Sequence, residues 1–231
     1  MAMLTERLDT EELMDDQALP ETVYRAVLVD LARVNRLTLG YRPTLNFLDR
    51  AMNGRKSFTL LDVGFGQGDM LREIAGWAKS RGIEAKLVGV DLNPRSQSAA
   101  REATPPEMPI VYRTGDYADL MDTKWDFIVS SLVAHHMSHE ELQLFLRVMD
   151  AEARVGWFVN DLHRHSVSYF GYPVLSQLAG LHRIVRMDGQ TSIARSFRPH
   201  EWEEMLAEAN VAGAQVERNF PFRLCVSCIR E

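Results

Sequence analysis

Leu60-Leu61-Asp62-Val63 followed by Gly64-Phe65-Gly66-Gln67-Gly68 reads as a buried strand that enters a helix through a turn with glycine at every second position. Without Cβ atoms there, the main chain can approach a ligand closely, and the unpaired amides of the next helix's first turn suit an anion. The same residues argue against a dinucleotide. Its fingerprint places a third glycine three positions after the second, where this chain has Asp69, and Asp62 just before the turn would repel a pyrophosphate. The turn therefore favours a ligand that is partly cationic.

Further strand candidates end in acids at suitable places. Lys86-Leu87-Val88-Gly89-Val90-Asp91 lies about 20 residues beyond the turn, where doubly wound folds put a ribose-binding carboxylate, so Asp91 is expected to hold two hydroxyls. Pro109-Ile110-Val111-Tyr112-Arg113 leads into Thr114-Gly115-Asp116-Tyr117, and Trp125 to Leu132 opens into Val133-Ala134-His135-His136. S-adenosylmethionine fits such an edge. Its carboxylate suits helix amides, and its ammonium and sulfonium suit a nearby acid.

The pattern D-V-G-x-G-x-G with these strand-end acids resembles the class I S-adenosylmethionine-dependent methyltransferases. The resemblance implies a donor site built from Asp62, Gly64, Gly66, Gly68 and Asp91. Asp116 would accept from the adenine amino group, with Tyr117 or Leu92 against the ring, and Ser131 is counted with this set. The segment Leu132 to Leu142, L-V-A-H-H-M-S-H-E-E-L, is similar to that of small-molecule methyltransferases, including the quinone-biosynthesis type. Asn160-Asp161-Leu162-His163-Arg164-His165 looks like the corresponding loop of bacterial enzymes associated with phenolic or polyketide products. A hydroxylated aromatic, quinol or polyketide-type acceptor, methylated at oxygen or carbon, is what this implies. The resemblance covers roughly residues 58 to 160. Glu152-Ala153-Arg154 stands where the family commonly has a Pro-Gly-Gly turn before strand five. A nicotinamide-dependent oxidoreductase and a non-catalytic S-adenosylmethionine-binding module are the rival readings.

A doubly wound α/β sheet of seven mostly parallel strands, Rossmann-like with a helical cap, is the expected fold. Its later strands are read at Ala153 to Val159, 213 to 219 and 222 to 229, the last antiparallel. Asn93-Pro94, Ser138 with Glu141, and Pro199 mark helix starts, and Gly82 a helix stop. Residues 1–55 are expected to form an N-terminal helical cap, in which Val23, Ala26, Val27, Leu31 and Val34 recur at one-face spacing. Residues 56–231 would be the donor-binding core, with 161–197 inserted as a substrate cap rich in aromatics such as Tyr169, Phe170 and Tyr172.

Composition narrows the partners. A net charge of −6, from 26 basic against 32 acidic residues, disfavours nucleic acid, whose binding rests on clustered Lys and Arg. No apolar run approaches the roughly 20 residues of a membrane helix, and Met1 to Asp16 is acidic, unlike a signal peptide. A cytoplasmic monomer or homodimer with a small-molecule substrate is expected. Cys225 and Cys228 fall in a strand, where a spacing of three points side chains to opposite faces, so they read as buried cysteines and not as a metal or redox pair.

A hydroxyl acceptor must lose a proton during methyl transfer, and histidine is the natural group to take it near neutral pH. Five of seven histidines lie in two stretches after strands four and five: His135, His136 and His139, then His163 and His165. One of His136, His163 or His165 is expected to act as base with Asp161 as orienting partner. Arg164 or Arg195 would steer an anionic group. No metal is expected, because His135 and His136 are adjacent and diverge in regular structure, and Ser130-Ser131 and Asn160-Asp161 depart from the acids of magnesium-dependent relatives.

Overall fold

The computed structural model describes residues 4–230. Seven strands form one sheet: β1 (Ser57–Val63), β2 (Glu84–Asp91), β3 (Ile110–Thr114), β4 (Phe127–Ser131), β5 (Gly156–Leu162), β6 (Gln215–Asn219) and β7 (Arg223–Ile229). Their order is β3-β2-β1-β4-β5-β7-β6, with β7 antiparallel to both neighbours and the other pairings parallel. The order reverses between β1 and β4, and in open sheets that crevice is where ligands bind.

Helices cover both faces: α1 (Glu21–Leu37), α2 (Arg42–Ala51), α3 (Asp69–Ser80), α4 (Pro94–Ala103), α5 (His139–Glu152), α6 (Ser166–Leu178), α7 (Arg183–Arg195) and α8 (Pro199–Glu208). Among the described residues no helix is long and apolar enough to cross a membrane. The local signals for helix ends are used as the sequence suggests. Asn93 caps α4 through Arg95 N, Ser138 and Glu141 close a reciprocal capping box on α5, and Pro199 opens α8.

One apolar layer joins the sheet to α5 and α8 through Phe145, Trp157, Phe197 and Trp202. The other joins it to α2 and α3, where Phe47 stacks on Phe158 at 4.8 Å and meets Phe127 edge-on at 6.0 Å. Cys228 belongs to the first layer and Cys225 to the second, so the two thiols do lie on opposite faces, both free.

Three expectations are corrected. The fifth strand starts at Gly156 and not at Ala153, because Leu142, Phe145, Leu146 and Met149 carry α5 on to Glu152 and Ala153 caps it. Asn160 and Asp161 consequently lie inside β5. Second, the segment 1–55 is not a cap throughout: Phe47, Leu48 and Ala51 bury α2 against the sheet, whereas α1 stays at the ligand edge. Third, α1 buries Tyr24, Val27 and Leu28, while Ala26 is exposed. The insertion supplies α6 and α7. Buried Val185 of α7 meets Val27 of α1, and Val167, Phe170, Val174 and Leu178 leave an exposed apolar face on α6.

Candidate active site

At the carboxyl end of β1 the turn is held by backbone and acid. Gly64 N donates to Val90 O at 2.8 Å, and Gly66 N donates to Asp91 Oδ2 at 2.9 Å, while Asn93 N donates to Asp91 Oδ1 at 2.8 Å. Asp91 thus ties the turn to the end of β2. The Gly66 amide is thereby committed and not left for a donor carboxylate. Gly64 and Gly66 line the crevice, with φ of +76° and +53°.

Gly68 does not line it. With φ of +73° it caps α3, and a Cβ there would collide with the Tyr112 ring, which bonds Thr104 Oγ1 behind the turn. Its role is close packing, contrary to the expectation of a donor contact. Gly68→Ala should therefore lower stability by about 2–3 kcal/mol, from left-handed backbone strain plus displacement of Tyr112. Chemical denaturation measures it, and an unchanged midpoint would contradict this account.

Asp62 is 1% exposed, and neither carboxylate oxygen has a partner among the described residues. Burial, then Asp69 and Asp91, push its carboxyl well above the usual range. An orphaned acid beside a crevice is where a donor ammonium would be held, so these residues fit S-adenosylmethionine. Asp69 faces the same crevice, with Oδ2 accepting from Tyr41 Oη at 2.8 Å and Asn35 Nδ2 at 3.1 Å. Farther along, Asp116 accepts from Ala118 N at 2.9 Å and caps the 3-10 turn Tyr117–Thr123. Leu92, Asp116, Tyr117 and Ser131 all line the crevice, and Leu92 is 77% exposed there.

The crevice and the space beyond it form one cavity of about 1290 Å³. Its far wall is apolar: Met14, Leu162, Tyr172, Leu175 and Ile193. Residues 11–17 pass over it as a strap. Leu13 N and Met14 N donate to Asp188 at 2.9 and 3.0 Å, and Arg195 Nη1 donates to Thr10 O at 2.9 Å.

Under the strap lies a histidine cluster. Ala134–His136 form a 3-10 turn, so the adjacent rings do not diverge as in regular structure; their centroids are 4.3 Å apart. His135 Nδ1 meets Asp161 Oδ1 at 2.7 Å, and its backbone N donates to Asp161 Oδ2 at 2.9 Å. The other nitrogen, Nε2, is 3.4 Å from Glu12 Oε1. His136 sits with Nε2 3.7 Å from Glu12 Oε1 and Nδ1 3.3 Å from Asp15 Oδ2. Burial works to neutralise His135, but Asp161 and then Glu12 outweigh it and raise its pKa to about 9. Burial raises the three acids, yet their histidine contacts win and leave Glu12, Asp15 and Asp161 below the usual carboxylate values.

Several catalytic expectations change. Asp161 pairs with His135, and neither His163 nor His165 reaches the cavity. His163 N donates to Phe222 O at 3.0 Å, and burial followed by His165 and nearby arginines pushes its ring down to about 4. The His165 ring stacks on Phe222, and its Nδ1 accepts from Val167 N at 3.2 Å as the cap of α6. These two are diverted because β5 runs on to Leu162, so the chain turns away from the cavity where they begin. The buried Arg164 guanidinium is held by Ser196 O and Glu201, and Arg195 donates to the carbonyls of His135, His136 and Thr10. Neither is free to steer an anion. Sequence reasoning missed Glu12, Asp15 and the pairing role of His135, since no local spacing links the strap to the turn after β4.

Residues 60–154 match the sequence model of a family described as "Methyltransferase domain". No curated protein matches. Among solved structures, a plantazolicin methyltransferase with a triazolic desmethylPZN analog and SAH superposes with a TM-score of 0.65 at 16% identity, over 91% of this chain and 97% of that one. Magnesium protoporphyrin IX methyltransferase from Synechocystis PCC 6803 with bound SAH gives 0.57 at 16% identity, over 94% and 91%. Human N-acetylserotonin methyltransferase with SAM gives 0.63 at 16% identity, over 91% and 56%. At such identity these establish the fold. Residues 60–154 are thus a methyltransferase domain, on a fold shared with enzymes whose structures hold SAM or SAH.

Proposed function

We propose that the acceptor is a small hydroxylated molecule, aromatic, quinol or polyketide-like, methylated at oxygen or carbon. One observation carries this reading: beyond the donor crevice the cavity has an apolar wall and is also lined by His136, whose two nitrogens each face a carboxylate. An apolar wall set against a polar cluster orients a flat acceptor by its hydroxyl. The magnesium protoporphyrin IX, N-acetylserotonin and plantazolicin in the names of the superposed enzymes are consistent with a small-molecule range.

S-adenosylmethionine supplies an already activated methyl group, so the protein's work is alignment, exclusion of water and removal of the acceptor's proton. Asp62 would hold the ammonium, Asp91 the ribose, and Asp116 with Tyr117 and Leu92 the adenine; all of them line the cavity. The proton is handled at the cluster of Glu12, His135 and His136, the place where the expected histidine base meets the cavity.

Titration of the purified chain with S-adenosylmethionine and with NADH tests the donor, and incubation with a phenol and quinol panel tests the acceptor. S-adenosylmethionine binding without NADH binding is expected, because Asp62 and Asp69 flank the turn that a pyrophosphate would need. Tight NADH binding would overturn the reading in favour of an oxidoreductase. Donor binding with no S-adenosylhomocysteine formed on any hydroxylated acceptor would favour a sensor.

A further inference from the structure

Two imidazoles and one carboxylate meet at a single point on the cavity wall. Glu12 Oε1 lies 3.4 Å from His135 Nε2 and 3.7 Å from His136 Nε2, and the ligand atoms of the three residues lie within 4.8 Å of one another. Ligand atoms bonded to one ion at about 2.0–2.2 Å stand about 3–3.5 Å apart; the two glutamate–histidine separations are close to that already, and the histidine pair, within 4.8 Å, closes with a ring adjustment of about 1 Å. We propose that Glu12, His135 and His136 bind a divalent transition-metal ion.

The surroundings are those of a ligand set already oriented. A histidine that binds metal through one nitrogen ordinarily gives its other N–H to a carboxylate or carbonyl, which fixes tautomer and ring angle. His135 does so through Nδ1 to Asp161 at 2.7 Å, and His136 Nδ1 faces Asp15 Oδ2 at 3.3 Å, which leaves both Nε2 atoms toward Glu12. Ser192 Oγ donates to Glu12 Oε1 at 2.7 Å and fixes that carboxylate in turn. Glu12 and His135 are almost fully buried, so little rotamer freedom remains to be lost on binding.

Charge and donor type select the ion. Three carboxylates, Glu12, Asp15 and Asp161, border the two rings. The nearby guanidiniums of Arg7 and Arg195 hydrogen-bond to main-chain carbonyls of the histidine turn and not to these acids. Two nitrogens and one oxygen suit zinc, iron(II), cobalt(II) or manganese(II), whereas magnesium and calcium prefer all-oxygen shells. All three residues line the cavity. An acceptor hydroxyl completing the coordination would lose its proton more readily than in water. That consequence rests on the proposed methyltransferase reaction; the binding site itself does not.

The chain, stripped with a chelator, is titrated with Zn²⁺ by equilibrium dialysis and with Co²⁺ by visible absorption. One Zn²⁺ per chain is expected, with cobalt bands of mixed nitrogen and oxygen coordination. His136→Gln and Glu12→Gln should each weaken Zn²⁺ binding by about 100-fold or more, exceeding the roughly 10–100-fold typical of outer-shell changes. His139→Gln, on the exposed start of α5, should leave it unchanged. Far-UV circular dichroism confirms that each variant is folded, and His136 is partly exposed, so its replacement disturbs the core least. Wild-type chain that binds no more zinc than His136→Gln, or equal binding by all variants, overturns the site. S-adenosylmethionine is titrated into the same stripped chain: zinc bound without it would sink the donor reading alone, and the reverse result would sink the metal site alone.

Discussion

Asp62→Asn should weaken S-adenosylmethionine binding by about 10–150-fold while leaving the ligand-free protein as stable as wild type or more so. The two signs come from one residue. A charge-assisted hydrogen bond is worth about 1.5–3 kcal/mol, and the asparagine keeps the shape of the side chain but not the charge that meets the ammonium. In the ligand-free chain that same charge is a burden. Asp62 is buried without a partner among the described residues, and burial, reinforced by Asp69 and Asp91, holds its carboxyl well above the ordinary range.

For an acid raised in the folded state, the folded form binds more protons than the unfolded form at intermediate pH. Its contribution therefore turns against folding as pH rises above the unfolded value of about 3.9, and it stays unfavourable at neutrality. Asparagine removes that contribution. Isothermal titration with the donor and urea denaturation without it measure the two halves. A variant that loses stability yet binds the donor like wild type would show that Asp62 is a structural acid with a hidden partner.

How far the sequence foretold this arrangement depends on the range of the interaction involved. Strands β1, β2 and β4 were legible because a strand covered on both faces is a run of apolar residues, and the acids that close them, Asp62 and Asp91, sit at fixed offsets from the glycine turn. The opposite placement of Cys225 and Cys228 followed from period-two alternation alone. Local signals failed where two patterns overlapped. Ala153-Arg154-Val155 continues smoothly into Gly156-Trp157-Phe158-Val159, and only the apolar stripe of α5 decides where helix ends and strand begins.

That shift of three residues moved Asp161 from loop to strand and changed its partner from a neighbouring histidine to His135. The strap lay beyond reach for a different reason. Glu12 and Asp15 are unremarkable acids in an acidic terminus until Asp188, Ser192 and Arg195 of α7 draw them over the cavity. No periodicity encodes a contact between residue 12 and residue 135. The adjacent histidines misled because divergence holds in helix or strand, whereas a 3-10 turn brings both rings to one side.

The largest kinetic effect is expected from His136→Gln: a loss of about 10²–10⁴-fold in turnover at saturating donor, the range spanned by general acid–base contributions. That is about 3–5 kcal/mol of barrier. Of the three histidines that sequence singled out as bases, it alone lines the cavity, and its two nitrogens lie 3.7 Å from Glu12 and 3.3 Å from Asp15. The loss follows whether the cluster takes the proton itself or through a bound cation, since glutamine serves neither end. Donor affinity should stay within about twofold of wild type, because the crevice under Asp62 and Asp91 is untouched, which separates this defect from misfolding. His163→Gln and His165→Gln, whose rings pack on each other, with His165 behind Phe222, and do not line the cavity, should turn over at the wild-type rate. If either of those two variants lost activity while His136→Gln kept it, the acceptor would have to approach from the β7 side of the sheet, and the cavity beneath the strap would not be where methyl transfer happens.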